Sequence, residues 1–68
     1  MKITIKNEIV NGMLISMEQD GMAPGYVVCL AKMETENTCG GYLDYRWYAT
    51  RREAQRRFRD LKKREEAR

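Results

Sequence analysis

The residues with the clearest chemical potential are basic side chains near the C-terminal end of the chain. Nine basic and four acidic residues lie between positions 51 and 68, a net charge of +5, whereas the first 50 residues carry −2. On a helical projection with Ala54 at zero, four of these basic residues fall within roughly 40° of the opposite direction. Since Lys and Arg bind phosphates and release counterions, they are candidates for contact with a nucleic-acid backbone. We call this set the basic ridge: Arg52, Arg56, Arg59 and Lys63. The alternative is an ordinary solvated helix face.

Two further arginines of the same segment are predicted to be structural. Glu53 precedes Arg57 by four positions, and Asp60 precedes Arg64 in the same way. Acid-first pairs at this spacing stabilise a helix by roughly 0.2–0.5 kcal/mol each. We therefore separate these two arginines from the basic ridge.

A second candidate surface lies on the predicted strand at residues 42–48. Tyr42, Arg46 and Tyr48 fall on one face of that strand, and a sheet that carries aromatic and guanidinium groups can stack on bases. Arg46 is therefore added to the candidates for nucleic-acid contact. Asp44 lies among them, and phosphate would repel its carboxylate. We favour the alternative, in which the tyrosines pack across strands around an Asp44–Arg46 ion pair.

The chain lacks the side chains on which most catalytic and metal sites depend. It has no histidine, which excludes histidine bases and His-containing zinc sites. It has no glycine-rich phosphate loop, and no Ser, Thr or Cys has a candidate base as a partner. Glu34 and Glu36 share a loop without a ligand-rich cluster around them. We predict a protein without enzymatic activity, cofactor or metal.

The two cysteines are predicted to be free thiols. They do not form a CxxC pair, and the sequence shows no secretory context that would favour a disulfide. Cys29 lies in an apolar run and is expected to be a small buried hydrophobe. Cys39 lies next to two glycines and is expected in a loop.

These candidate residues must be positioned by one small domain. The chain has 68 residues, of which 43% are hydrophobic and 34% are charged, so it is too apolar for disorder. A chain near this length buries only about 60% of the surface that its unfolded form exposes. We therefore expect a shallow core without a deep pocket.

Four segments have the composition of β-strands. Alternating polar and apolar side chains are typical of half-buried strands. In the fourth segment, Leu43, Tyr45 and Trp47 are predicted to face the core, because the alternating set carries two charges. The third segment is apolar on both faces, which indicates a central strand. Pro24-Gly25 predicts a turn before it. The predicted strands span residues 2–9, 13–19, 26–33 and 42–48.

The first two strands are predicted to form a hairpin. Asn11-Gly12 is a strong signal for a tight turn between them. A two-residue loop would place Ile5 opposite Glu18 and mix the two faces of the hairpin. A three-residue loop that begins one residue earlier places Ile5 opposite Met17 instead, so we predict that register.

The last segment is predicted to be a helix over about residues 51–64. Thr50 and Glu53 form a capping box at its start. Ala54, Phe58 and Leu61 recur at i, i+4 and i+7 and line one helical face. Residues 62–68 are charged and are expected to fray into solvent. The chain is thus predicted to be a single α+β domain with a four-stranded, mainly antiparallel sheet followed by one C-terminal helix (ββββα).

The segment from about Gly25 to Leu61 resembles the small arm-type DNA-binding domains at the N-termini of tyrosine recombinases. In both, strands lead into a helix that begins T-x-x-E-A, here Thr50 to Ala54. The resemblance covers roughly half of the chain. It implies a three-stranded sheet that docks on DNA with the helix packed behind it.

Two functions follow from these patterns. The leading hypothesis is a small accessory protein that binds DNA or RNA weakly through backbone charge. The alternative is a protein-interaction module, with a homodimer as one form of it, that uses a sheet face or edge left bare by the single helix. No run approaches the roughly 20 apolar residues of a membrane span, and no signal peptide is evident, so a cytoplasmic protein without membrane contact is expected.

Overall fold

The computed structural model describes residues 2–22 and 24–68. It contains a four-stranded antiparallel sheet followed by one helix, which confirms the predicted ββββα order. The strands lie side by side in chain order, and the helix packs on one face of the sheet. The elements are β1 (Lys2–Val10), β2 (Met13–Asp20), β3 (Tyr26–Met33), β4 (Cys39–Tyr48) and α1 (Arg51–Glu66). The helix is too short and too polar to cross a membrane.

The β1–β2 hairpin closes with a two-residue loop, so the predicted three-residue loop is wrong. Val10 pairs with Met13, and both loop residues have positive φ, 50° at Asn11 and 78° at Gly12. These angles belong to a type I′ turn, whose twist matches that of the flanking strands. The turn chemistry therefore decides the loop length.

A β-bulge in β1 removes the objection to this shorter loop. Thr4 pairs with Glu18 and Lys6 with Met17, so Ile5 is an extra residue on its strand. A bulge turns one additional side chain toward the same face and restores the alternation beyond it. Ile5 consequently packs against the core instead of lying opposite Glu18.

The core lies between the helix and one face of the sheet. The predicted helix stripe is confirmed, since Ala54, Phe58 and Leu61 are all buried. Alternate residues of the two central strands meet this stripe, which settles which face of β3 is inside. The sheet side of the core consists of Met13, Ile15 and Met17 from β2 and Val28 and Leu30 from β3.

The orientation of β4 is the reverse of the predicted one. Asp44 pairs with Leu30 across the strands and therefore faces the helix, while Tyr45 pairs with Cys29 and faces away. Leu43, Tyr45 and Trp47, which the sequence placed in the core, are exposed. The physical reason is a partner on the helix: Arg57 forms an ion pair with Asp44, so a carboxylate on this edge strand is stabilised on the inner side.

The predicted grouping of Tyr42 with Arg46 and Tyr48 is also wrong. The β3–β4 register shifts between Leu30 and Ala31, which pair with Asp44 and Tyr42. The shift places Tyr42 on the outer face, where its ring lies 5.1 Å from that of Tyr45, centroid to centroid. Arg46 and Tyr48 remain on the helix side.

Both ends of α1 are fixed by specific contacts. At the start, the Thr50 hydroxyl accepts a hydrogen bond from the Glu53 backbone N–H at 3.2 Å, as the capping box predicts. At the other end, the helix continues to Glu66, and Glu65 is buried on the core side instead of fraying. The Asn11 side-chain amide donates to the Glu65 carbonyl at 2.6 Å. The hairpin turn thus satisfies a carbonyl of the last helical turn.

Neither Cys29, which is buried, nor Cys39, which is exposed, forms a disulfide within the described chain. Cys39 begins β4, where it pairs with Met33, so it does not lie in the loop as predicted. Cys29 is four residues from Met33 along β3, roughly 13 Å at 3.3 Å per residue. This separation is incompatible with disulfide geometry.

Candidate functional site

The basic ridge lies on the surface of α1 that points away from the sheet. The buried stripe fixes the rotation of the helix, so the residues on the opposite side must face solvent. All four ridge side chains are exposed: Arg52, Arg56, Arg59 and Lys63. The structure therefore brings four of the five predicted contact residues onto one continuous surface.

Three other cations of the helix and its C-terminal end are held in ion pairs. Arg57 bonds to Asp44 on the β4 side, and Lys62 lies 2.9 Å from the Glu8 carboxylate on the β1 side. Arg68 lies 3.3 Å from the carboxylate of Glu65. None of the four ridge residues forms an ion pair with a side chain that the structure describes. The predicted pairs of Glu53 with Arg57 and of Asp60 with Arg64 are not among the ion pairs of the described side chains, because Arg57 bonds to Asp44 instead. Among these side chains, the fold thus pairs one cation on each flank and leaves the ridge unpaired, as it does Arg51 and Arg64.

These ion pairs also shift the protonation of their members. The Arg57 guanidinium beside Asp44 holds the pKa of that carboxyl below its usual range, with a further contribution from Arg46. The hydrogen bond to Glu8 raises the pKa of Lys62 above its usual value. Both shifts favour the charged forms at neutral pH, so the flank pairs are fully formed there.

The ridge residues repel one another along the helix. Arg52 and Arg56 are spaced i,i+4, as are Arg59 and Lys63, and Arg56 and Arg59 are spaced i,i+3. Each like-charge pair at these spacings destabilises a helix by roughly 0.2–0.5 kcal/mol. Asp60 lies four positions after Arg56 and three before Lys63, spacings at which opposite charges offset part of this repulsion.

Arg46, unlike the ridge residues, forms an ion pair with a described side chain. Its Nε donates to Asp44 at 3.3 Å, and Asp44 also accepts from Arg57. The expected Asp44–Arg46 ion pair is therefore present, with a helix residue as third member. This three-residue cluster joins β4 to α1, and it indicates that Arg46 is mainly a structural residue.

Replacing Asp44 by Asn should destabilise the protein in a pH-dependent way. Because the folded-state pKa of Asp44 is depressed, its stabilisation is complete above the unfolded-state value of about 4 and is lost as pH falls through the folded-state value. The variant should therefore melt below the parent at pH 7, and the difference in Tm should shrink as pH falls below about 4. Thermal melts across this range measure it.

Asp60→Asn is the control for this series, because Asp60 is exposed and forms no ion pair with a described side chain. Its effect on Tm should stay small at every pH. A Tm difference for Asp44→Asn that does not change with pH would show that the pair with Arg57 adds no stability.

The second notable surface is the sheet face that α1 leaves uncovered. The strand register places large apolar side chains on this face, and many of them are accessible. We call it the open sheet face; its most exposed members are Ile9 (57%), Tyr42 (58%), Leu43 (63%), Tyr45 (44%) and Trp47 (60%). Leu14 and Val27 add half-buried apolar area.

Charged groups are scarce on the open sheet face. Glu18 is the one charged residue among its described side chains, and no Lys or Arg is among them. Its carboxylate accepts a weak bond from the Cys29 thiol at 3.6 Å. The face is therefore mainly apolar and aromatic, and its described side chains offer no cation to attract phosphate.

The position of Trp47 on this face is set by the turn before β3. Its indole Nε1 donates to the Pro24 carbonyl at 3.3 Å. Gly25, with φ of 108°, lies directly under the ring, and a Cβ there would come within 2.2 Å of the indole nitrogen. Only glycine permits both this backbone angle and this close approach. Ala23, which precedes the turn predicted at Pro24-Gly25, lies outside the described residues.

Two clefts run along the sides of α1, and neither holds a catalytic arrangement. The cleft on the β1 side has a volume of about 230 Å³ and is lined by Lys6, Met17, Gln55, Phe58 and Arg59. In it, the Lys6 ammonium lies 4.7 Å from the centre of the Phe58 ring. Over residues 2–22 and 24–68, no three Cys, Asp or Glu side chains come together as a metal site.

Sequence reasoning found the ridge. It also anticipated a sheet face left bare by the single helix, but it placed Leu43, Tyr45 and Trp47 of that face in the core. The ridge was visible because helical periodicity separates exposed from buried positions. The available signal for the open face was the thin helix stripe, since three apolar residues cannot cover both faces of four strands. Comparisons with protein-family models, curated proteins and solved structures find no match to the chain.

Proposed function

We propose that the protein is a small, non-enzymatic, cytoplasmic accessory protein that binds nucleic acid through the basic ridge. The observation that carries the proposal is the charge of Arg52, Arg56, Arg59 and Lys63. These residues are exposed on one side of the helix and form no ion pair with a described side chain, whereas Arg57 and Lys62 on the two flanks are paired. Contacts of this kind are made with phosphates, so they are weak and indifferent to sequence, and they suit DNA and RNA alike.

The distribution of charge over the chain supports this proposal. The helix segment carries +5 and the first 50 residues carry −2. At physiological ionic strength, screening by salt limits the range of the electric field of each exposed charge to about 8 Å. A phosphate approaching the outer side of α1 therefore responds mainly to the ridge and little to the acidic sheet region.

The resemblance to arm-type DNA-binding domains agrees with DNA as a ligand. It suggests, however, that the sheet and not the basic ridge would contact the DNA. It implies docking through a three-stranded sheet, whereas this sheet has four strands. The open sheet face also presents Glu18 and no described cation. We therefore place the proposed contact on the helix.

The test is a salt titration of affinity for a duplex and for single-stranded RNA. Four phosphate contacts predict a slope near −3.6 in log–log form for duplex DNA, or roughly a 100-fold loss of affinity between about 50 and about 200 mM salt. Replacing the four ridge residues by Gln should weaken binding sharply for any sequence and flatten the slope by up to about 3.6. The Tm should hold or rise, because like-charge pairs are removed.

The matched control removes the same charge elsewhere. Lys6, Lys32, Arg51 and Arg64 are exposed, lie off the ridge and form no ion pair with a described side chain, so their joint replacement by Gln gives the same net charge. This variant should keep most of the parent affinity and slope. Equal losses in the two variants would mean that net charge alone drives binding. A parent that shows no binding at low salt would remove the proposal.

The open sheet face favours a second function, protein–protein interaction. Contiguous exposed apolar patches of several hundred Å² are uncommon on monomers and mark interaction sites. Both functions are compatible, because the ridge and the open sheet face lie on opposite sides of the domain.

A further inference from the structure

We propose that the protein forms a two-fold dimer in which the open sheet faces of two copies pack against each other. This inference deepens the protein-interaction function, rests on it, and is independent of nucleic-acid binding. The dimer would have four layers, with the two sheets inside and the two helices outside. Two apolar sheet faces stacked in this way are about 10 Å apart, as in β-sandwiches.

The edges of the sheet are less suited to a partner than its face. The outer strand β1 has a bulge at Ile5. At the other edge, the pairing of β4 with β3 shifts around Leu43 and again between the pairs made by Ala31 and Met33. Bulges twist an edge and interrupt its row of free backbone groups, which hinders pairing with another strand. An incoming chain therefore meets its largest regular apolar surface on the face.

The size of the open sheet face matches a small dimer interface. Four strands of about eight residues, spaced about 4.8 Å apart with about 3.3 Å per residue, give a face of roughly 500 Å². Two copies together would bury roughly 1,000 Å², which is at the lower limit for a specific interface. We therefore expect a weak dimer.

The charge distribution favours a second copy as the occupant. Each chain carries +3 overall, which would oppose association if the helices met. Packing through the open sheet faces instead puts the two +5 helix segments on the outside, about 30 Å apart at about 10 Å per layer. This distance is several Debye lengths, so the repulsion is screened. The inner faces bring no described cation, which makes them poor sites for nucleic acid.

The experiment measures mass and the environment of the single tryptophan over a wide range of concentration. Sedimentation equilibrium from about 1 to about 500 μM should show a shift from the 8.0 kDa chain toward twice that mass. Trp47 is 60% exposed in one copy, so its emission should move to shorter wavelength and its quenching by acrylamide should fall in step with the mass.

Two single variants of β1 each introduce one carboxylate, one on the open side of the sheet and the other on the helix side. Ile9 and Ile3 both lie on β1 with similar exposure, 57% and 53%, but Ile9 pairs with Leu14 on the open side and Ile3 with Gln19 on the helix side. Ile9→Glu should raise the dissociation constant at least about tenfold, because two unpaired carboxylates would be buried per dimer. Leu43→Glu, at the other side of the face, should do the same, and Ile3→Glu should dimerise like the parent.

Each remaining outcome overturns self-association in a distinct way. Equal weakening by Ile3→Glu and Ile9→Glu would place the contact elsewhere. A monomeric parent whose Trp47 is readily quenched at every concentration leaves the face free for a different protein, so the interaction function stands and the dimer fails. A monomeric parent whose Trp47 is shielded throughout shows that the face is not open, and both fail. Quenching of Trp47 by added single-stranded DNA would assign the face to bases.

Discussion

Phe58→Ala should abolish the cooperative thermal transition of the protein. Phe58 is 1% exposed and is the only phenylalanine of the chain, and it fills the centre of the helix–sheet core beside Met17. Core Phe→Ala substitutions cost about 3–5 kcal/mol. A single core in a domain below about 70 residues rarely supplies more than about 3–5 kcal/mol in total. The substitution therefore removes most or all of the stability.

Circular dichroism melts measure this effect, with two controls on the same helix. Phe58→Leu keeps most of the buried volume and should retain a transition at lower temperature. Gln55→Ala changes an exposed neighbour and should leave the transition close to that of the parent. A Phe58→Ala variant that melts within a few degrees of the parent would contradict the packing of α1 on the sheet.

The elements set by local chemistry could be predicted from the sequence. The capping box at Thr50, the stripe through Phe58 and the hairpin signal at Asn11-Gly12 each involve residues close together in the chain. The cap forms because the Thr50 hydroxyl accepts a backbone hydrogen bond, and the stripe is buried because its residues share one helical face. The turn forms because Asn11 and Gly12 both adopt positive φ angles. No knowledge of distant residues is needed for any of them.

The two wrong predictions about the sheet depend on distant residues. The hairpin register requires the bulge at Ile5, which lies six residues from the turn and has no signal of its own in the strand pattern. The orientation of β4 depends on the ion pair between Asp44 and Arg57, 13 positions apart. The two charges of the alternating set predict that Leu43, Tyr45 and Trp47 lie inside. That prediction is wrong because one of these charges, Asp44, has its partner on the helix.

The same contrast applies to the candidate site. The basic ridge could be predicted because exposure on a helix follows from the position of its buried stripe. A bare sheet face could be expected from the single helix, but the residues on it could not be predicted, because they depend on which side of the sheet the helix covers. That choice is made by tertiary contacts such as the Lys62–Glu8 and Arg57–Asp44 pairs on the two flanks of α1.

The two proposals together have a geometric consequence. In the proposed dimer, the ridges lie on opposite outer surfaces about 30 Å apart and point away from each other. A stiff duplex with a persistence length of about 150 bp cannot wrap around the dimer to reach both. Each dimer should therefore hold two separate duplexes, so bridging of nucleic acid requires both surfaces, whereas simple binding requires only the ridge.

Ile9→Glu should abolish bridging while leaving the binding of one duplex unchanged. A duplex immobilised on beads should retain a second, labelled duplex when the parent protein is added above its dimer dissociation constant. Ile9→Glu should bind either duplex alone and retain none of the second, since its ridge is intact and its open sheet face carries a carboxylate. Ile3→Glu should bridge like the parent, and the ridge variant with four Gln should neither bind nor bridge. Retention by Ile9→Glu at the parent level would show that bridging does not pass through the sheet. A dimeric parent that binds but never bridges would show that its two ridges share one side of the assembly, which face-to-face stacking of the sheets does not allow.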